Sequence, residues 1–378
     1  MCTIPSPRHL WQFLGRLLSR FSVLLVMDSP GKSNILVPTS EHCFSQLSVP
    51  TSESPVSADD GGVWVHADMP KMWHRAMYDE GTAAPVMREL FGAQMRLLDA
   101  LAQGGSDDDA EAAAVDGTSP LMPARQIGAL RTFVEVGCGT SEAGSRMLTH
   151  GSVSAYVGVD LSSTFLELSA ALHPVLNDQA RAALLQGDAS KLESLIATAG
   201  TGTPTAPAAT GFAADAASTA SSDGEDEENG EAAVCGSAAA MAATSPCLVG
   251  CVMNTMGILP DFIRAATVCE MIRTAKPGGT VVVGCWCADK FAEGVERFYK
   301  RHPELCGVID DSMVDLESAT LVNPAGPSGL YTSQWWTHER VKQLFPKAVR
   351  HRVRTITASI GVFAILRVAE EDVKVTCA

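Results

Sequence analysis

The stretch that most constrains this chain is Phe133-Val134-Glu135-Val136-Gly137-Cys138-Gly139-Thr140. Residues 131–136 are β-branched and aromatic enough to form a strand. Gly137 and Gly139 let the backbone leave that strand in a tight turn, where a side chain would block a ligand. Residues 141–150 then read as a helix, so its free N–H groups point back at the turn. Strand, Gly-x-Gly turn and helix form a nucleotide-type cradle, and the rest of the chain decides which nucleotide it suits.

A dinucleotide cradle follows the pattern G-x-G-x-x-G. Here the third position is Glu142, and the next glycine, Gly144, comes two residues late. A glutamate where the helix must approach a pyrophosphate repels it, so a dinucleotide-dependent dehydrogenase is disfavoured. The net charge of −15 needs dissection before it is used. Asp107, Asp108, Asp109, Glu111, Asp116 and the acids of residues 199–246 supply most of it, and the remainder is nearly neutral. No basic stripe stands out to neutralise a nucleic acid.

Strands and helices alternate after the turn. Strands are predicted at 155–160, 182–186, 247–253 and 280–286, with helices at 163–172, 191–198, 262–274 and 290–301. That alternation predicts a parallel sheet covered on both faces. Residues 350–356 and 362–368 are two strands on so short a connection that they must form an antiparallel hairpin. A helix is predicted over 337–344 with Thr337 as its N-cap, while residues 302–329 look irregular. Before the turn, residues 64–102 have a helical apolar rhythm broken near Gly81 and Pro85, and 123–130 read as a helix leading into the first strand. The acidic, small-residue stretches 104–120 and 199–246 cannot bury enough apolar surface to offset their ordering entropy, and are expected to be disordered loops.

Residues 1–27 contain Arg8, Arg16 and Arg20, no acid, and one apolar face at helical spacing. The apolar run is too short and too interrupted to span a bilayer, so no stable membrane insertion is expected. A Ser/Thr/Pro-rich stretch follows. The pattern resembles a plastid or mitochondrial transit peptide, with a secretory signal or an unstructured cytosolic tail as alternatives. Residues 1–62 are therefore set apart from a fold at 63–370, and 371–378 form a tail. The eleven cysteines include no CxxC; they read as buried reduced thiols of an intracellular protein, with no metal site.

Taken in order, these features resemble the class I S-adenosylmethionine-dependent methyltransferases over residues 70–370. Residues 133–140 look like that family's first motif, with Ser141 at the usual third glycine, small enough to N-cap the helix. Asp160 looks like the acid at the second strand's end that takes the ribose hydroxyls. Gly187-Asp188-Ala189 looks like the third-strand motif that flanks the adenine. Asn254-Thr255-Met256 matches the fourth-strand tip beside the methyl group, and Lys276-Pro277-Gly278-Gly279 the turn before the fifth strand. The resemblance implies a three-layer, doubly wound α/β fold: a mostly parallel seven-stranded sheet with an antiparallel last strand. It implies S-adenosylmethionine as cofactor, bound by Glu135, Gly137, Cys138, Gly139, Thr140, Asp160, Leu161, Gly187, Asp188, Ala189, Asn254, Thr255 and Met256. Glu135, Asp160 and Asp188 each have a plainer alternative, as a helix-capping or solvated acid.

The acceptor is less legible, because methyl transfer is an in-line displacement that requires alignment and dryness rather than one fixed residue. The adenine- and glutamine-methylating members carry Asn/Asp-Pro-Pro-Tyr at the fourth-strand tip, which Asn254-Thr255-Met256-Gly257 does not match. A small amino-, carboxylate- or thioether-bearing metabolite is the leading acceptor class, with osmolyte-type onium products among its members. Catalytic candidates are Asn254, Tyr78 and His302. Substrate candidates are Trp73, Arg75 and Tyr78 on a lid helix, and Tyr299, Tyr331, Trp335 and Trp336 after the fifth strand, where aromatic faces can hold a cation. The alternative function is a non-catalytic protein of the same fold that binds partners.

Overall fold

The structure is a computed structural model that describes residues 68–116, 129–201, 238–326 and 329–374. These all fall within one unit, residues 56–378. The expected targeting segment at 1–62, nearly all of the helix at 123–130, the middle of the 199–246 stretch and the end of the tail lie outside the described residues.

In chain order, α1 (Met69–Met77) and α2 (Pro85–Ala102) are broken at the predicted place, and α3 (Asp107–Asp116) follows. Then come β1 (Thr132–Val136), α4 (Glu142–His150), β2 (Ala155–Asp160), α5 (Ser163–Leu172), β3 (Ala182–Gln186) and α6 (Leu192–Gly200). After the undescribed residues stand α7 (Ala238–Thr244), β4 (Leu248–Cys251), the single turn α8 (Thr255–Ile258), α9 (Asp261–Ala275) and β5 (Thr280–Trp286). The rest comprises α10 (Phe291–Arg297), α11 (Pro303–Cys306), β6 (Val314–Asp315), β7 (Thr320–Gly326), β8 (Gly329–Gln334), α12 (His338–Gln343), β9 (Arg354–Ala358) and β10 (Gly361–Arg367).

The main sheet has the order β3-β2-β1-β4-β5-β10-β9. Its first five strands are parallel, and β10 runs antiparallel to both β5 and β9. Successive side chains of a strand point to opposite faces, and the core divides accordingly. Phe133, Tyr156, Val282 and Phe363 face α1, α2, α4 and α5. Val134, Val157, Val281 and Val362 face α6, α7, α9 and α12. The strand order reverses between β1 and β4, and in such sheets a ligand crevice opens at that point, beyond the strands' carboxyl ends. Among the described residues no helix is long and apolar enough to cross a membrane.

Three expectations need correction. Within 104–120, residues 107–116 are helical rather than a disordered loop. Ser106 Oγ accepts the Asp109 N–H at 3.1 Å and Asp109 Oδ2 accepts the Ser106 N–H at 2.9 Å, a reciprocal cap. The acids at the first turn suit the helix dipole, Ala110, Ala113 and Ala114 are buried, and Arg354 and Arg367 pair with Asp107, Asp108 and Glu111. Within 199–246, both described ends are helical: α7 packs Ala238 and Ala242 into the second core. Residues 302–329 are not irregular but hold most of a three-stranded antiparallel sheet, β6-β7-β8. The cysteine reading also changes at one place. Cys138, Cys247, Cys251, Cys285, Cys287 and Cys306 are buried free thiols, but Cys269 is in a disulfide.

Candidate functional site

The glycine turn leaves β1 under tight control. The N–H groups of Gly137 and Cys138 both donate to the Val159 carbonyl, at 2.8 and 3.1 Å. Gly137 and Gly139 sit at φ +63° and +53°, backbone that glycine adopts without strain. Their surroundings differ. A Cβ on Gly137 would stand 2.4 Å from Thr255 Cγ2, so this glycine makes room for the β4 tip rather than for a ligand. A Cβ on Gly139 would stand in ordinary van der Waals contact with Phe165 and Trp73, at 3.7 and 3.9 Å, and the residue is half-buried. Gly144 is likewise structural, because a Cβ there would lie 2.0 Å from the Tyr156 ring. Ser141 does not N-cap α4: it sits at φ +55° with its hydroxyl buried, in backbone that glycine would adopt more easily.

Beneath the turn lie two carboxylates, Glu135 buried and Asp160 half-buried. Asp160 Oδ2 accepts the Gly139 N–H and Oδ1 the Ser162 N–H, both at 2.9 Å, so this acid ties the β1 turn to the β2 tip. Burial raises its pKa despite those bonds. Glu135 is buried and accepts the Tyr156 hydroxyl at 2.8 Å. Burial pushes it up to about 8, against the Tyr156 and Gly144 hydrogen bonds that favour its charged form. Burial also drives the Cys138 thiol well up, and its sulfur lies on the underside of the turn, near Gly158. The Arg146 guanidinium is taken by Glu142 at 2.8 Å. Near neutral pH Glu135 keeps its proton, and the floor offers carboxyl oxygens to hydroxyl donors rather than a pair of charges.

Helix α1 roofs the turn. His74 Nδ1 lies 3.1 Å from Thr140 Oγ1, and Tyr78 packs edge-on against Phe91 with ring centroids 4.8 Å apart. Burial, then the charges of Glu135 and Glu142, raise the Tyr78 phenol well above its ordinary value, so it is a neutral hydroxyl. His173 Nε2 lies 3.3 Å from Glu142 Oε2. Both imidazoles are lowered by burial. Of the α1 candidates, Trp73 and Tyr78 are at the turn, while Arg75 is exposed. His74 was missed by the sequence reading, although its place four residues before Tyr78 puts both on one helix face. Nothing in the sequence pointed to His173.

At the β4 tip, Met253 and Asn254 occupy left-handed backbone at φ +53° and +64°. For a residue such as Met253 this costs about 1–2 kcal/mol, and less for asparagine, which visits that region more readily. Asn254 is buried, and its amide is engaged within the protein: Oδ1 accepts the Trp286 N–H at 3.2 Å, and Nδ2 donates to Ser333 Oγ at 3.3 Å and Gln334 O at 3.2 Å. Its side chain is therefore a clamp and not a free catalytic amide. Thr255 Oγ1 donates to Val252 O at 2.9 Å, and Met256 is wholly buried in the second core. Asp188 accepts the Ser190 N–H at 2.9 Å, the capping alternative. Gly187 makes room for Leu195, 2.5 Å from its missing Cβ. Ala189 packs at the margin of the second core, and Leu161 is 48% exposed at the β2 tip.

The aromatic substrate candidates do not line an open surface. Tyr299, Tyr331 and Trp335 are buried among Trp286, Phe291 and Phe298 in edge-on contacts. Their ring faces serve packing, so the expected cation-holding role fails. Trp336 points to the opposite face of the sheet, where Arg264 and Arg340 stand 4.9 and 5.4 Å from its ring. His302 precedes α11 and its Nδ1 lies 2.8 Å from Glu304 Oε1; its ring is buried against Phe298, which disfavours it as a base. Among the described residues no group of three or more His, Cys, Asp or Glu side chains gathers to hold a metal.

No protein-family model matches the chain, and no curated protein matches it. Among solved structures it is similar to the PH0226 protein from Pyrococcus horikoshii OT3, at 13% identity over 62% of this chain and 80% of that one, with a TM-score of 0.36. It is similar to an S-adenosylmethionine-dependent methyltransferase from Clostridium acetobutylicum ATCC 824, at 8% identity over 63% and 84%, with a TM-score of 0.31. A further match is the plantazolicin methyltransferase BamL in complex with a triazolic desmethylPZN analog and SAH, at 10% identity over 80% of each chain, with a TM-score of 0.37. By its own strand order, with β10 running against the other strands, the chain has the fold of the class I S-adenosylmethionine-dependent methyltransferases.

Proposed function

We propose that this chain is a methyltransferase that takes S-adenosylmethionine in the crevice between the β1 turn and the β4 tip and methylates a small-molecule acceptor. The observation that carries this reading is the acid floor: buried Glu135 and half-buried Asp160 lie beneath a glycine turn where the strand order reverses. A ribose diol meets carboxyl acceptors there, while Glu135, pushed up to about 8 by burial, holds its proton near neutral pH and adds no negative charge. Asp160 spends part of its acceptor capacity on backbone N–H groups; a carboxylate has about four lone-pair sites, so room remains for hydroxyl donors. The half-buried backbone at Gly139, where no side chain intrudes, supports close approach of the ligand's amino-acid end.

The cofactor, when bound, supplies an electrophilic methyl group on sulfur. The chain's part is to align the acceptor and exclude water, and α1, which carries Trp73 and His74 over the turn with Tyr78 at its C-cap, supports that role. With Trp73 Nε1 only 3.9 Å from where a Gly139 Cβ would stand, the roof supports a small acceptor. We assign it to amine, carboxylate or thioether metabolites, onium-forming methylation included.

Calorimetry tests the reading. Wild-type protein is expected to bind S-adenosylmethionine and S-adenosylhomocysteine, and Asp160→Ala to lose about 30-fold or more, about 2 kcal/mol. Absence of binding by the wild type sinks the proposal. For the acceptor, labelled cofactor is incubated with a metabolite extract; label found only on macromolecules, or on nothing, overturns the small-molecule reading.

A further inference from the structure

The β4 tip holds a conformation that Met253 does not favour and that asparagine tolerates better than most side chains. Two consecutive non-glycine residues, Met253 and Asn254, lie at positive φ. Such strain persists where the surroundings over-determine it, and it clusters at functional sites. Here the surroundings come from outside the main sheet. Ser333 Oγ and Gln334 O, at the end of β8, take the two amide N–H groups of Asn254. Ser333 Oγ also accepts the Tyr299 hydroxyl at 2.6 Å, and the Tyr299 oxygen accepts Trp335 Nε1–H at 3.0 Å. Every member is buried: Asn254 is 3% exposed, Ser333 1%, and Tyr299 and Trp335 0%. A buried hydroxyl is unfavourable unless it is hydrogen-bonded. Alanine and phenylalanine would fill the places of Ser333 and Tyr299 without that demand. What the two hydroxyls add is a connected chain that ends on the strained tip, and buried hydrogen-bond networks of this kind rigidify what they join.

We propose that Ser333 and Tyr299 are positioning residues: the chain Trp335–Tyr299–Ser333–Asn254 holds residues 253–255 in the backbone that faces the methyl end of the cofactor. The inference rests on the methyltransferase reading of the crevice. It gives the β6–β8 sheet a role, as the anchor of the β4 tip.

The test uses full-length Ser333→Ala and the milder Tyr299→Phe, with Ser333→Thr as the variant that keeps the hydroxyl. Amide hydrogen exchange over residues 252–257 in the ligand-free protein reads the clamp itself. Both disruptive variants are expected to exchange about tenfold faster there while helices α2 and α9 keep their protection, and Ser333→Thr is expected to restore it. Calorimetry then reads function: affinity for S-adenosylmethionine falls about tenfold more than affinity for S-adenosylhomocysteine, because only the former carries the methyl group that the tip faces. Unchanged exchange at 252–257 overturns the clamp whatever the ligands do. Faster exchange with equal losses for both ligands reduces the network to a structural role and overturns the positioning claim. Faster exchange in a protein whose wild type binds neither ligand leaves the clamp standing and removes the methyltransferase reading, and the positioning claim with it.

Discussion

Two turns close the crevice at the ends of neighbouring parallel strands. The β1 turn passes through Gly137 and Gly139 at φ +63° and +53°, and the β4 tip through Met253 and Asn254 at +53° and +64°. The backbone is nearly the same; the means are different. At the β1 turn the missing Cβ atoms remove the strain locally. At the β4 tip the strain remains and is held down by hydrogen bonds to Trp286, Ser333 and Gln334. A glycine-made turn depends little on its neighbours. A clamped turn is only as sound as its clamp, so it can be altered from a distance.

The largest expected effect breaks the first turn. Gly137→Ala places a Cβ 2.4 Å from Thr255 Cγ2 at a positive φ, and is expected to cost about 4 kcal/mol. Urea unfolding checks this; an unchanged midpoint would mean that the two turns do not abut.

Next is the acid beneath that turn. Glu135 is raised from 4.5 to about 8 in the folded chain, chiefly by burial. The folded state therefore holds its proton more tightly than the unfolded state, and stability is lost as pH rises through that window. The fall is expected to be a few kcal/mol at most. Unfolding measured at pH 5 and pH 9 should show a steeper loss in the wild type than in Glu135→Gln. Equal slopes would exclude Glu135 as the cause.

The clamped turn separates bonds from strain. Asn254→Ala loses the amide bonds and leaves the Trp286 N–H buried, costing about 2–3 kcal/mol. Asn254→Gly loses the same bonds but relieves the left-handed strain, and should lie about 1 kcal/mol above the alanine variant. Denaturant titration of the pair decides it; glycine no better than alanine would refute the strain. The smallest effect sharpens the β1 turn, because Ser141 at φ +55° is its unrelieved position. Ser141→Gly is expected to stabilise by about 0.5–1 kcal/mol, left-handed relief less the added chain entropy of glycine. Calorimetric melting would show a small rise, and a drop would mean the serine hydroxyl contributes more than its backbone strain removes.

Much of the fold was legible because its signals are local. The β5 strand at 280–286, bounded by Gly279 and by the start of a helix, and the β2 and β3 strands ending at Asp160 and before Gly187 appear where their apolar runs end. Residues 107–116 were misread because composition alone gives no weight to a reciprocal cap or to alanines that fit against α2. The β6–β8 sheet was missed because β7 contains Pro324 and a register irregularity between Asn323 and Gly326, which erase the two-residue rhythm. In the site, Asp160 ends β2 as read, and its bond to the Gly139 N–H is a contact across 21 residues that the sequence reading did not contain. The aromatic residues did not behave as read, since a list of rings says nothing about which face they bury. Adjacent Trp335 and Trp336 end in different cores.

The sequence by itself determined the parallel sheet, the glycine turn and the acid at the end of β2. Each follows from properties a few residues carry alone: alternation, chain freedom, charge. Only the tertiary structure decided that Gly137 yields to Thr255, that Asn254 is a clamp, and that Tyr299 serves Ser333 rather than a ligand. The Asn254–Ser333 contact spans 79 residues. Hydrogen bonds of that reach exist only after the sheets have packed, and no local pattern encodes them.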